Sequence, residues 1–178
     1  MEVSRERVID SFDYQVPFIS SFSGDTSFYI KKTLTFIDAF DSLSVTYDRD
    51  SADIEEKTTE GGELFVTQSA STRFVRAEGE LFGEMGKLRF KFYLYNAKQP
   101  LISCVVYEHV EFDKPMNQPD MKMLPSVITY EIYCSNKLIA VLNKKREKQA
   151  IAPAELNTKE QETKQFIKNY IDPAKLIK

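Results

Sequence analysis

The chain has 178 residues, long enough to take roughly two-thirds of its unfolded surface out of water around one core, with neither metal nor disulfide required. Its 42% hydrophobic and 29% charged residues, with 6 Gly and 7 Pro, exclude a disordered, collagen-like or membrane-embedded chain. A formal net charge of −3 is too near balance for nucleic acid or an anionic membrane to be the partner of the whole domain.

The 13 Phe and 9 Tyr, with no Trp, fall mostly among Val, Ile and Thr, a mixture that suits a pleated surface with one buried side. In chain order, Phe12 to Phe18 is the first strand candidate. Phe28 to Ile37 follows, with Phe28, Ile30, Leu34 and Phe36 expected to point inward, and then Leu43 to Tyr47 and Glu63 to Gln68. Seven acids between Asp48 and Glu63 face only Arg49 and Lys57, which reads as an acidic connection between strands. The stretch lacks the glycine and glutamate that an EF-hand loop needs.

Thr72 to Phe82 reads as a long strand, and Gly83-Glu84-Met85-Gly86 supplies two glycines for a turn with positive φ. From Lys87 to Tyr95, Leu88, Phe90, Phe92 and Leu94 alternate with Arg89, Lys91, Tyr93 and Tyr95, which only a strand period explains. Asn96 to Pro100 is a turn, and Leu101 to Phe112 a third strand, apolar on both faces in its first half. Asp113 to Pro125 holds three prolines and is expected to be a loop. Val127 to Cys134, a turn at Ser135-Asn136, and Lys137 to Leu142 complete a second hairpin.

Ten bases against five acids from Lys137 to Lys178 make the C-terminal part basic, which reads as a solvated face or a docking attraction toward the acidic stretch. Near the end, Thr158 and Gln161 have capping-box spacing and Phe166, Ile167, Tyr170 and Ile171 form an apolar stripe. Asp172-Pro173 stops that helix. The expected fold is mainly β, an antiparallel β-sandwich or partly open β-barrel of about eight or nine strands with one C-terminal surface α-helix. It divides into a β domain over 1–143, a charged linker over 144–157 and the helix over 158–172, packed on the β domain.

Candidate functional residues are sparse. His109 is the sole histidine, which leaves no multi-histidine zinc site. Its parity with Leu101 and Val105 makes it a sheet-face residue. Gly83-Glu84-Met85-Gly86-Lys87 lacks the first glycine, the hydroxyl and the following helix of a phosphate loop. Pairing Phe112 with Ser126 would set Cys104 opposite Cys134, a candidate cysteine pair, although a shift by two residues keeps the same faces and separates the sulfurs. With no export signal in the first thirty residues, two buried thiols are the favoured state. The chain is then cytoplasmic by default, or the mature part of an exported protein.

Met116, Met121, Met123 and Leu124 decorate the proline-rich loop and make it the binding-loop candidate. Strands with varied loops and unclustered catalytic residue types point to a non-catalytic binding or adaptor module whose partner is a protein. A carrier of a small apolar ligand or lipid in an aromatic-lined β cavity is the alternative. A hydrolase-type enzyme using Glu108 and Glu131 as paired carboxylates ranks last. No cofactor, metal or membrane span is expected.

Overall fold

The computed structural model describes residues 25–42, 48–53, 61–68, 74–95 and 101–171. The described chain is one antiparallel sheet of seven strands flanked by two helices. Its strands are β1 (Asp48–Asp53), β2 (Gly62–Gln68), β3 (Phe74–Gly83), β4 (Gly86–Tyr95), β5 (Leu101–Glu111), β6 (Val127–Cys134) and β7 (Lys137–Leu142). They run as a simple meander in chain order, each paired with the next, and β1 and β7 form the two edges of an open sheet. A mainly β, antiparallel fold is therefore present. The strands form a single sheet of seven among the described residues, in place of the expected sandwich or barrel of eight or nine. The Phe12 to Phe18 and Leu43 to Tyr47 candidates and the Asn96 to Pro100 turn lie outside the described residues.

The larger correction is at Phe28 to Ile37, which belongs to a helix, α1 (Thr26–Ser42). Tyr29, Thr33, Phe36, Ile37 and Phe40 are its buried residues, at the three-to-four spacing of one helical stripe. Phe28, expected inside, is 60% exposed. Asp48–Asp53, expected as a connection, is the edge strand β1.

Each helix covers a different face of the sheet. Strand alternation sends Phe74, Tyr93 and Tyr95 to one face, where they pack with Phe36, Phe40, Cys104, Ile132 and Leu142 under α1. The other parity sends Val75, Ala77, Phe90, Phe92 and Leu94 to the opposite face. That core is closed by α2 (Pro153–Tyr170), which places Phe166 on Phe90 and Phe92 at ring-centroid distances of 4.9 and 5.3 Å. Both sides of the sheet are thus dry at its centre, one under each helix.

Helix α2 begins five residues before the expected cap. Pro153 occupies its first turn with Ala152 at the N-cap, a position where a missing N–H costs nothing. Thr158 lies inside the helix and donates to the Ala154 carbonyl at 3.1 Å. Ile151 and Leu156, assigned to the linker, pack against the second core.

Local chemistry sets the register. Ser135 and Asn136 have φ of 50° and 62°, the left-handed pair that a two-residue hairpin requires. Asn136 Oδ1 also accepts the Ile102 N–H at 2.7 Å. Neither Gly83 nor Gly86 has the positive φ expected of it. Gly86 instead permits close approach of β5, since a Cβ there would strike the Val110 carbonyl. Between β4 and β5, Tyr93 pairs with Cys104 and Leu94 with Ile102, so Ser103 is an extra residue. This bulge switches parity, putting Leu101 with the α1 face and Val105 with the α2 face.

Candidate functional site

The proline-rich loop after β5 does not hang free. Phe112 donates to the Met85 carbonyl at 2.9 Å, Met116 to that of Glu84 at 2.8 Å, and Leu124 to that of Glu111 at 2.8 Å. Asp113 braces the loop from within, its Oδ1 accepting the Lys122 N–H at 2.8 Å. Asp120 takes the left-handed turn with φ of 62°, which Asp tolerates better than most residues. The loop backbone is therefore tied to the β3–β4 turn.

On this fixed backbone the apolar side chains point outward. Met116 is 40% exposed, Met123 64% and Leu124 42%, while Met121 is half-buried. Two residues not singled out in the sequence join them, Met85 at 51% and Val127 at 64%. Met85 sits in the two-residue turn between β3 and β4, where no side chain can be covered by its own hairpin. Val127 opens β6 opposite His109. Five large apolar residues thus gather at one end of the sheet.

A second concavity lies on the α1 face, beyond the end of that helix. It is a groove of about 430 Å³ whose lining includes Ile37, Phe65, Val106, Ile128 and Tyr130. Its walls are ion pairs. Asp41, in the last turn of α1, accepts hydrogen bonds from Arg76 Nη1 at 2.8 Å, Lys91 Nζ at 3.1 Å and the Tyr93 hydroxyl at 2.9 Å. A carboxylate is disfavoured at a helix C-terminus, and these three donors outweigh that. Glu80 bonds Lys87 and Arg89, Arg89 reaches Glu108, and Arg146 forks onto Asp38 at 2.6 and 2.7 Å.

On the α2 face, Glu131 is buried at 3% exposure. Its Oε2 accepts hydrogen bonds from the Tyr133 hydroxyl and from Thr163 of α2, each at 2.8 Å, and Thr163 shares a 3.0 Å bond with the Tyr107 hydroxyl. Burial pushes the Glu131 carboxyl above the usual carboxylate range, against the opposing pull of these hydroxyls. Glu108 faces the groove on the other side of the sheet, so the two carboxylates of the hydrolase reading do not meet.

The β5–β6 register is offset by two residues from the one that aligns the cysteines. Cys104 lies opposite Ile132, and both cysteines stand as buried thiols. Burial raises the pKa of each, which suits small core residues rather than nucleophiles. His109 is exposed on β5, 6.4 Å from the Tyr107 ring. The chain matches no family model, no curated protein and no solved structure. Among the described residues no helix is long and apolar enough to cross a membrane, and no three ligating side chains cluster in a way that would hold a metal ion.

Proposed function

We propose that the protein is a binding module that takes a protein partner on the apolar end formed by Met85, Met116, Met123, Leu124 and Val127. The observation that carries this reading is the combination of exposed side chains with a pinned backbone. Apolar surface left in water forgoes about 25 cal/mol for each Å², and several large apolar side chains exposed at one end of a sheet are a candidate interaction surface. Because the loop is already ordered by its hydrogen bonds, a partner gains that area without the cost of freezing the chain. Methionine suits the role, as its unbranched side chain adapts to a partner's shape.

The triple variant Met116→Ser, Met123→Ser, Leu124→Ser tests it. Exposed positions change folding stability by no more than about 0.5 kcal/mol each, so the thermal midpoint should move by only a few degrees. Retention of a partner in a pull-down should fall at least about tenfold, the loss expected when an anchor residue is truncated. Undiminished retention by the folded variant would refute the role of this loop.

The carrier reading finds less support. Of the aromatic rings that would line its cavity, Phe74, Phe90 and Phe92 pack in the two cores at 1%, 2% and 0% exposure, while Tyr130 lines the groove. The groove offers some apolar floor, but its charged walls would have to be desolvated by an apolar ligand.

A further inference from the structure

The fold protects the borders of its sheet unevenly. On the outer side of β7, the Leu138 N–H is taken by Glu160 Oε2 of α2 at 2.9 Å. Further along, the Val141 carbonyl accepts the Gln149 N–H at 2.9 Å and Lys148 bridges Leu142. At the other border, β1 is the short strand Asp48–Asp53, and a short edge limits pairing. Among the described residues the β6 overhang has no such device. β7 ends opposite Tyr130, so Val127, Ile128 and Thr129 pair with β5 alone among the described residues.

The side chains beside this open border are apolar on both faces. Val127 is 64% exposed at the apolar end, and Ile128 turns to the opposite face, lining the groove with Val106 and Tyr130. A bare strand edge flanked by apolar side chains is what an added strand uses: main-chain hydrogen bonds supply affinity and alternate side chains supply specificity. The size of the patch argues against a second copy of the chain. Five partly exposed side chains amount to a few hundred Å², well short of the ~800 Å² per partner that a stable dimer buries.

Resting on the apolar-end reading, we infer that the partner is an extended peptide with alternating apolar side chains, added as a strand beside β6 at Val127–Thr129. One of its faces would cover Ile128 at the groove's margin and the other would meet Val127 and Leu124.

The test is selection of a display library of short random peptides against the full chain, followed by amide hydrogen exchange with the selected peptides bound. The expected result is enrichment of alternating apolar sequences, at least about tenfold slower exchange of the Ile128 amide, the one of Val127–Thr129 directed away from β5, and at least about tenfold weaker binding to Val127→Lys, whose charge lies on the edge. A library that yields no binder overturns the inference. So do binders that slow exchange only within residues 112–124; if these also fail on the Met123→Ser, Leu124→Ser variant, the apolar-end reading survives alone. Binders that protect the β6 edge but ignore those two serines would uphold the edge and remove the apolar-end reading.

Discussion

Phe36→Ala is expected to cost ~3–5 kcal/mol of folding stability, while Phe28→Ala changes it by no more than about 0.5 kcal/mol. Phe36 is fully buried, with its ring 4.3 Å from that of Phe74 and 5.9 Å from that of Phe40. Truncation leaves a cavity between α1 and the sheet that neither rigid element can fill. Phe28 is 60% exposed, and its ring carries the Lys32 ammonium at 4.8 Å, a contact of small worth in water. The contrast is informative because the two residues have the same parity. In a strand they would share a face and respond alike, so equal losses in urea unfolding would argue against α1.

Glu131→Ala should destabilise the protein by ~1–3 kcal/mol for the Tyr133 hydroxyl it orphans, with a cavity term added, while Thr163 keeps its bond to the Tyr107 hydroxyl. Glu131→Gln keeps an acceptor for Tyr133 and Thr163 and removes the ionisation. Because the folded-state pKa lies above that of the unfolded chain, the stabilising contribution is complete below the ordinary carboxylate range. It is lost as pH rises through the raised value. Lys159 opposes this shift and Glu162 reinforces it, both from α2. The Gln variant should therefore match or exceed the natural protein in stability at neutral pH, with the advantage shrinking toward acid. Urea unfolding at acidic and neutral pH reads both. A Gln variant that loses ground as pH rises would contradict the assignment.

The sheet was legible wherever two signals agreed. Alternation from Leu88 to Tyr95 coincides with turn residues on its N-terminal side, and the second hairpin is bracketed by Pro125 and Ser135-Asn136, so the bounds of β6 and β7 fall where the sequence places them. Helix α1 was illegible for a physical reason. Phe28 with Ile30 and Leu34 with Phe36 mimic a strand period, and the residue types of this segment, Phe, Tyr, Ile and Thr, favour strands on their own. Only burial of Tyr29, Thr33 and Phe40 separates the two periods.

Register was legible to the level of faces and no finer. A two-residue slip keeps every β6 side chain on its face, so hydrophobic pattern cannot choose between Cys104 opposite Cys134 and Cys104 opposite Ile132. The choice is made by the loop, which returns to pair Phe112 with Met123. For the candidate site, loop composition indicated Met116, Met123 and Leu124. Met85 and Val127 were missed because each lies at the mouth of an element, where burial depends on what the fold brings alongside. Met85 carried a signal all the same: an apolar residue in the tip of a two-residue turn has nothing of its own hairpin to cover it.

The layered arrangement is tested most directly by ring-to-ring nuclear Overhauser contacts. A single sheet with one helix on each face predicts contacts from Phe36 to Phe74 and from Phe166 to Phe92, and none linking Phe36 to Phe92 or Phe166. A Phe36 ring in contact with either of those two would place both helices on one side and contradict the fold on which the apolar end and the open β6 edge depend.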